Sequence, residues 1–513
     1  MNKTLATLAL ASLVGCGDPQ GTYNYVLTIM GGQTVTKDPW AVASEYRSAH
    51  NAAASIIDLH ADTLLLPDEA PNYERLLTNP DRDGHVDVPR MIQGNVALQV
   101  FAAGVKASLD TLGNSAPSIT GKYVAPNGMQ YSRYGYERDP NVAAYDDPND
   151  PYAGDYAGAP LFMPREVGTY VFRLSGRDCK TWYDGGNWEA SLFGDTPPCP
   201  AFNADRMYLE RYLSLATRLN GAVAASQNKL RLITTRAQLD SLIAARVTNK
   251  NVVGALLSTE GLYFRSDAST ATGRAKLLAN FNELHGAGYR MFALTHFMDN
   301  DHGGSATGMA RATQGEAGRG LTAAGQLLAE QVLTRGATLD VAHASRTTLN
   351  ALAAYARTKQ KPIVFSHGGL RDIPGTTGAC VNERNIDAAQ LREIASTGGV
   401  VGIGLADEFV CDTDPSAWAK AVRYAVDAID NGAVRLYGSG VVVKGVDSVG
   451  LGSDYDGGIE AYTDIANLEQ YTRALMCKKT MLTPSCLERP FSTAEVHKIL
   501  GGNSLRVLRA NLN

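Results

Sequence analysis

Eight short runs rich in valine, isoleucine, leucine and phenylalanine recur along the chain. They span residues 55–60, 95–103, 252–258, 289–295, 337–342, 362–366, 398–405 and 448–453. Continuous apolar runs of this length are typical of strands buried on both faces of a parallel sheet. Stretches with apolar residues at helical spacing lie between them, at 204–229, 272–286, 321–335, 346–358, 387–396, 416–431 and 462–476. This alternation predicts an α/β fold, a (β/α)8 TIM-type barrel.

Side chains that bind metals stand where these runs end. His60 ends the first run, and Asp62, two residues later, points to the same side because side chains alternate along a strand. Histidines end three consecutive later runs, as His296, His343 and His367. An open, doubly wound sheet is the rival fold, but a barrel explains the pattern better because its strand ends all meet at one mouth.

Carboxylates follow two further runs. Glu260 comes after the run 252–258, before a glycine that permits a sharp backbone turn. Asp454 ends the last run and is expected to face the mouth, whereas Asp456 is assigned to the turn or to the cap of the next helix. His302 lies just past the fourth strand, where it could line the mouth. The other four histidines are interpreted as structural.

Imidazole and carboxylate ligands without cysteine favour zinc, with manganese, iron and cobalt as alternatives. The set exceeds what one catalytic ion with an open position needs, so two ions are expected. A carboxylate that reaches both ions, and a water held between them, would give a hydroxide nucleophile near neutral pH. An aspartate beside that nucleophile can take and return protons.

Composition limits the partners. The 513 residues are 44% hydrophobic and 19% charged, which is ordinary for a globular chain, and either one large domain with insertions or two domains would fit. Lysine and arginine number 47 against 52 acidic residues, a net charge of -5 without a long basic run. A small-molecule substrate is therefore expected, and no nucleic acid.

The N-terminus has the pattern of an export signal. A short positive start is followed by an apolar stretch and by Leu13-Val14-Gly15-Cys16, which resembles the lipobox of bacterial lipoproteins. We expect residues 1–15 to be removed, Cys16 to be acylated and residues 16–40 to form a tether to a hydrolase domain at 41–513. The chain would then be lipid-anchored in the bacterial cell envelope, on the outer membrane. An ordinary secretory signal with an incidental cysteine is the alternative.

Six further cysteines in an exported chain favour disulfides, and pairing of nearest neighbours is expected: Cys179 with Cys199, Cys380 with Cys411, and Cys477 with Cys486. The first pair lies in residues 106–202, a stretch crowded with glycine, proline, aspartate, asparagine and tyrosine. An insertion this long after the second strand is expected to lie over the mouth, or else to pack on the flank of the barrel.

Together these motifs resemble the membrane dipeptidase (renal dipeptidase) family of zinc metallopeptidases, a branch of the amidohydrolase-type barrel enzymes. The resemblance covers about residues 50–510 outside the insertion. It rests on the stretches at 58–62, 258–261, 294–296, 319–325, 339–345, 365–367, 384–385, 452–457 and 499–503.

The resemblance implies two zinc ions per chain, bridged by Glu260. The other ligands it implies are His60 and Asp62 on one ion, and His343 and His367 on the second. It further implies roles toward the substrate for His296 at the scissile carbonyl, Arg384 at the carboxylate and Asp454 in proton transfer. An arginine fork matches a carboxylate on its own chemistry. The loop from His367 to Arg384 and the insertion are longer than the family pattern, which affects the expected substrate range.

The expected function is therefore hydrolysis of dipeptides with a free carboxyl terminus by a di-zinc metallopeptidase. A di-metal amidohydrolase acting on N-acyl amino acids, lactams or lactones is the second hypothesis. A catalytically silent binding lipoprotein is the third, and the intact ligand set argues against it. The sequence leaves open whether the chain forms a homodimer.

The lipobox generates a first prediction. Cys16→Ser should release the protein from salt-washed membranes or leave it unprocessed, because acyl anchoring depends on that sulfur, whereas salt removes proteins held only by surface charge. Fractionation of salt-washed membranes from cells expressing the variant measures this, and unchanged partition of a processed variant into the washed membrane fraction would contradict the assignment.

Overall fold

The computed structural model describes residues 42–65, 74–79, 84–104, 122–124, 130–132, 204–262, 268–296, 300–306, 320–375, 380–457, 459 and 461–513. The expected signal peptide, Cys16, the tether and the expected disulfide between Cys179 and Cys199 lie outside the described residues. So does most of the insertion 106–202, apart from two short strands.

Apolar, β-branched segments form the strands of the described chain. The strands are β1 (Ile56–Ala61), β2 (Val96–Gly104), β3 (Lys122–Val124), β4 (Gln130–Ser132), β5 (Leu230–Leu232), β6 (Val253–Glu260), β7 (Tyr289–Ala293), β8 (Thr338–Asp340), β9 (Val364–Phe365), β10 (Val400–Ile403) and β11 (Val449–Leu451). All eight apolar runs that the sequence marked contain a strand, with bounds that differ by a few residues.

Eight of these strands close into a parallel barrel. Neighbouring strands follow the order β1, β2, β6, β7, β8, β9, β10, β11, and β11 pairs with β1 again. The pairing of β2 with β6 is long and runs from Leu98 opposite Gly254 to Gly104 opposite Glu260. These two neighbouring strands are separated in the sequence by the insertion. The predicted (β/α)8 barrel is therefore confirmed.

One strand of this sheet was not predicted from the sequence. The spacing of apolar residues predicted a helix over 204–229, but the helix ends at Ala225 and Leu230–Leu232 forms β5, which pairs in parallel with the start of β6 outside the closed barrel. Three residues reading Leu-Arg-Leu are too short to show a strand period. Within the insertion, β3 and β4 form a two-stranded antiparallel sheet.

Helices follow the barrel strands and cover their outer side. They are α1 (Ser44–Ala52), α2 (Val88–Gln93), α3 (Ala204–Ala225), α4 (Arg236–Arg246), α5 (Ala271–Gly286), α6 (Ala323–Thr334), α7 (Arg346–Lys359), α8 (Ala388–Ser396), α9 (Asp407–Val410), α10 (Pro415–Asp430), α11 (Glu469–Met476), α12 (Thr493–His497) and α13 (Asn503–Asn511). The predicted helix 462–476 is shorter than expected and begins at Glu469, after a 3-10 turn at Ile465–Asn467.

The C-terminal segment covers the end of the barrel where the strands begin. Gly501 lies against Ser55, just before β1, so closely that a side chain there would meet the Ser55 carbonyl. The Asn511 amide donates to the Pro362 carbonyl just before β9, at 2.9 Å. The other end of the barrel, where the strands finish, is the mouth.

Two of the three expected disulfides lie within the described residues. The structure joins Cys380 to Cys411 and Cys477 to Cys486, with Cα–Cα distances of 5.2 and 5.4 Å. The first connects the loop after β9 to the loop after β10, and the second closes a loop after α11. Among the described residues, no helix is long and apolar enough to cross a membrane.

Candidate metal centre

The barrel brings all the predicted metal ligands to its mouth. His60 lies near the end of β1, Asp62 directly follows that strand, and Glu260 is the last residue of β6. His296 follows β7, and the remaining two imidazoles, His343 and His367, follow β8 and β9. Because each ligand ends or follows a strand, closure of the sheet is enough to assemble them.

Glu260 lies at the centre of this cluster. Its Oε1 atom is 3.0 Å from Nε2 of His343, 3.4 Å from Nε2 of His367 and 3.5 Å from Nε2 of His60. His296 places its own Nε2 3.5 Å from the same oxygen. One carboxylate oxygen thus faces four imidazole nitrogens.

A second focus forms around His60. Its Nε2 atom is 3.3 Å from Asp62 Oδ2 and 3.5 Å from Asp454 Oδ1. His367 connects this focus to the first, because its Nε2 lies 3.1 Å from that of His343 and 3.8 Å from Asp454 Oδ1.

Three overlapping groups of the described residues could each hold a cation, with ligand atoms within 4.8 Å of one another. They are His60, Glu260 and His367; Glu260, His296 and His343; and His60, Asp62 and Asp454. The donors are imidazole nitrogens and carboxylate oxygens, which suit zinc and related ions. Buried Asp62 Oδ1 has no hydrogen-bond partner among the described residues, as expected for an oxygen that faces a cation.

The electrostatics of the cluster favour a positive charge at its centre. Burial disfavours a charged imidazole, but the carboxylates of Glu260 and Asp62 outweigh it and raise the pKa of His60 to about 10. Burial, together with the nearby Asp62, raises the pKa of Glu260 to about 8. Buried carboxylates without enough compensating charge attract cations, either protons or metal ions.

Two buried aspartates position the ligands from beneath. Asp58 of β1 accepts hydrogen bonds from the Ser453 backbone N–H at 2.8 Å and from its hydroxyl at 2.6 Å. The same hydroxyl lies 3.0 Å from the carbonyl of His60. Asp58 therefore ties the end of β1 to the residue that precedes Asp454.

Asp340 of β8 holds Ser366, the residue that precedes His367, in a similar way. Its Oδ1 accepts from the backbone N–H of Ser366 at 3.0 Å, and the Ser366 hydroxyl also hydrogen-bonds this carboxylate. The hydroxyl oxygen lies 2.9 Å from Nδ1 of His367. Since the hydroxyl proton goes to Asp340, the oxygen accepts from Nδ1–H, which leaves Nε2 of His367 with a lone pair that can bind a cation beside Glu260.

The backbone is strained at two of the site residues. His343 has a φ angle of 60° and Asp454 a φ angle of 63°, both in the left-handed region that non-glycine residues rarely adopt. Such conformations persist where the surroundings over-determine them, and they cluster at functional sites. Gly261, the glycine after Glu260, has a φ of 76°, which agrees with the sharp turn predicted there.

Arg384 reaches the centre from the loop after β9. Its Nη2 atom lies 3.1 Å from Nε2 of His343 and donates to the carbonyl of His367 at 3.1 Å. The guanidinium lies over the rings of Phe365 and Phe409, 5.6 and 5.9 Å from their centroids. Its Nη1 atom is buried and has no hydrogen-bond partner among the described residues.

Four residues near the site had either no assigned role or an open one in the sequence. His302 is buried but belongs to none of the metal-type groups of the described residues. Asp456 lies in the turn, where it accepts from the Thr63 hydroxyl at 2.6 Å and the His85 backbone N–H at 2.5 Å rather than capping a helix. Asp58 was visible as the start of an alternating Asp-x-His-x-Asp pattern, but Phe409 carried no signal.

Comparison with known proteins settles the family. A family model described as membrane dipeptidase (peptidase family M19) matches residues 179–512. The chain belongs to the membrane dipeptidase family. This family consists of metal-dependent peptidases. The matched range includes Glu260, His296, His343, His367 and Asp454. The resemblance inferred from the sequence motifs is therefore confirmed.

Curated relatives in the family are distant. The chain is 27% identical over 256 residues to the dipeptidase aclJ of Aspergillus oryzae, covering 50% of this chain and 51% of that protein. It is 28% identical over 269 residues to an uncharacterized dipeptidase of Schizosaccharomyces pombe, covering 52% and 55%. The chain thus spans about half the length of these relatives.

Solved structures of the family share the fold. A metallopeptidase described as dipeptidase AC superposes with a TM-score of 0.55 at 18% identity, covering 90% of this chain and 99% of that one. A metallopeptidase from Rhodobacter sphaeroides, solved with a phosphinate mimic of the dipeptide L-Ala-D-Ala, gives 0.54 at 20% identity, covering 89% and 99%. At these identities the likeness establishes the barrel alone.

The chain of hydrogen bonds behind His367 generates a prediction. Ser366→Ala removes the acceptor for Nδ1–H, so the imidazole should lose its fixed orientation and the site should bind metal roughly 10 to 100 times more weakly. Competition with a zinc chelator measures this. Ser485→Ala, at an exposed loop position, is the matched control and should bind metal as the wild type does. Equal affinity in Ser366→Ala and wild type would contradict the assigned role of the hydroxyl.

Proposed function

We propose that the chain is a di-zinc dipeptidase that hydrolyses the single peptide bond of dipeptides with a free carboxyl terminus. The observation that carries the proposal is the position of Glu260, whose one oxygen faces imidazoles from four different strand ends at 3.0 to 3.5 Å. A carboxylate shared in this way suits a bridge between two ions.

The ligand groups suggest how two ions would be shared. His60 and Asp62 would hold one ion, and His343 and His367 the other, with Glu260 common to both. When bound, the ions would supply an activated water and polarise the scissile carbonyl. All other steps belong to side chains of the protein.

Asp454 is placed to move the proton. Its Oδ1 atom lies 3.5 Å from Nε2 of His60, at the edge of the cluster, and its carboxyl is buried. From there it could accept a proton from the attacking water and return it to the leaving amine. His296 has the most exposed side chain of the four imidazoles around Glu260, at 16%, so it can meet the substrate carbonyl from the mouth.

Arg384 provides the counter-charge for the substrate carboxylate. It is buried between two aromatic rings. Its Nη1 atom has no hydrogen-bond partner among the described residues and can therefore donate to a ligand. A desolvated guanidinium pairs strongly with a carboxylate and fixes the orientation of a short peptide. Relatives named as dipeptidases, and the dipeptide mimic bound to the Rhodobacter sphaeroides enzyme, support a substrate of this size.

We further propose that Cys16 anchors the protein to the envelope of a bacterial cell by its acyl chains. The support is the lipobox at residues 13–16 and the presence of paired cysteines at 380 and 411 and at 477 and 486, since disulfides persist in oxidising compartments. Dipeptides would then be hydrolysed outside the cytoplasm.

Metal stoichiometry tests the bridge. Purified wild-type protein should hold about two zinc-class ions per chain, and Glu260→Gln should lose both together because a neutral amide is a poor bridging ligand. Elemental analysis of the two proteins measures this. Glu488→Gln, at an exposed position, is the control and should keep both ions. A fully active wild-type preparation with one ion or none would sink the two-metal proposal.

A second experiment tests Arg384. Arg384→Met should lower kcat/KM on free-acid dipeptides by roughly two or three orders of magnitude, since a buried ion pair with the substrate is lost. Wild type should process C-terminally amidated dipeptides poorly, and the variant should lose little more on them. Because Arg384 also touches His343, metal content is measured in parallel and should not change. An equal loss on both substrates would show that the residue serves the metal site instead.

A further inference from the structure

The two ends of the barrel differ in charge. At the mouth, residues 404–414 carry four acidic residues and no lysine or arginine. At the opposite end, the connections that lead from a helix into the next strand, together with the loop after α11, carry mostly cations. Seven that are exposed are Lys229, Arg335, Arg435, Lys444, Lys478, Lys479 and Arg489. The chain as a whole has a net charge of -5, so this concentration is local.

Little in these connections compensates the positive charge. Their two acidic residues are Asp447 and Glu488, and each is already paired with a lysine, at 2.6 Å to Lys498 and 3.1 Å to Lys479. Of the seven exposed cations, Lys479 is paired with Glu488 and Arg489 with Asp427 of α10, and the other five give this end a net positive charge. Such a surface attracts an extended negative partner.

Exposed apolar side chains occupy the same end. Met481 and Leu482 are 88% and 85% exposed at the tip of the loop after α11. Val247, in the connection from α4 to β6, is 78% exposed, and Val441 in the connection to β11 is 59% exposed. Single exposed apolar residues are normal, but Met481 and Leu482 are adjacent, almost fully exposed and at the same end as the cations.

The loop that carries Met481 and Leu482 is held rigid. The disulfide between Cys477 and Cys486 closes its base, and the Lys479 backbone N–H donates to the Leu487 carbonyl at 2.8 Å. Thr480 and Thr483 pair across the tip, with the Thr483 N–H donating to the Thr480 carbonyl at 3.2 Å. The two apolar side chains are thus presented to solvent by a fixed turn.

We infer that the end of the barrel opposite the mouth is a membrane-contact surface that binds bilayers containing anionic phospholipids. Lysines reach the headgroups while methionine and leucine enter the interfacial region, which is the chemistry of proteins that lie on a bilayer. Four of the seven exposed cations are lysines, which are depleted at protein–protein interfaces. The mouth then faces the aqueous phase, from which substrates arrive.

This inference does not depend on acylation of Cys16 or on the proposed activity. Residues 16–41 could extend at most about 85 Å at roughly 3.3 Å per residue, so an anchor at Cys16 would not by itself decide which side meets the membrane. The cationic and apolar end supplies that orientation.

Vesicle binding tests the inference in the chain from residue 16 to 513 carrying Cys16→Ser, so that neither an acyl chain nor the apolar N-terminal segment contributes. Co-sedimentation should be strong with vesicles of phosphatidylcholine and phosphatidylglycerol, weak with phosphatidylcholine alone, and reduced by salt. Lys444→Glu with Lys478→Glu should lower the partition coefficient on the anionic vesicles about tenfold or more. Met481→Ser with Leu482→Ser should lower it about tenfold by removing apolar insertion.

Matched controls use residues away from this end. Lys276→Glu with Lys420→Glu makes the same change in net charge on exposed helix positions, and Val381→Ser removes an exposed apolar side chain near the mouth. Both should bind vesicles as the parent does. Thermal unfolding and dipeptide hydrolysis should be unchanged in every variant. Equal binding to neutral and anionic vesicles, no binding to either, or an equal loss in the Lys276 and Lys420 control would overturn the inference.

Discussion

Closure of the sheet, between β1 and β11 on one side and between β2 and β6 on the other, is the contact on which the site depends. The candidate ligands come from strand ends that are up to several hundred residues apart, and apart from His60 and Asp62 each comes from a different strand. Only when all eight strands lie in register does Glu260 come within 3.5 Å of Nε2 of His60 and within 3.0 Å of that of His343. The pairing of Leu98 through Gly104 with residues 254–260 sets that register.

Hydrogen bonds from two buried aspartates beneath the candidate ligands fix the positions of those ligands on the paired strands. Asp58 holds Ser453, and Asp340 holds Ser366, in each case through both the backbone N–H and the hydroxyl of the serine. Each serine directly precedes a site residue on the neighbouring strand. A buried carboxylate costs free energy unless its hydrogen bonds are satisfied, so this layer tolerates few alternative arrangements. Precise placement of His367 and Asp454 follows from it.

The two ends of the barrel carry different sets of side chains. The mouth collects carboxylates and imidazoles that could hold cations, together with one buried arginine. The opposite end presents lysines and exposed apolar side chains around the C-terminal segment. In a parallel barrel these ends are set by strand direction alone, so chemistry at one end can change without disturbing the other.

The sequence by itself determined the barrel, the family and the candidate ligands that meet at the mouth. Apolar runs and helical spacing are local patterns, and a ligand that directly ends such a run is visible without knowing which strands pair. The disulfides 380–411 and 477–486 were also predicted, since they join nearest neighbours. The short strand Leu230–Leu232 was missed because three residues carry no period.

Tertiary structure alone decided the contacts between residues distant in sequence. Asp58 and Ser453 are separated by 395 residues, and nothing local marks them as partners. The position of Arg384 between Phe365 and Phe409 depends on the segments after β9 and after β10, which meet only in the folded barrel. The concentration of cations at one end emerges only when the direction of every helix is known. Such features depend on how the chain closes in space, and local periodicity does not encode that closure.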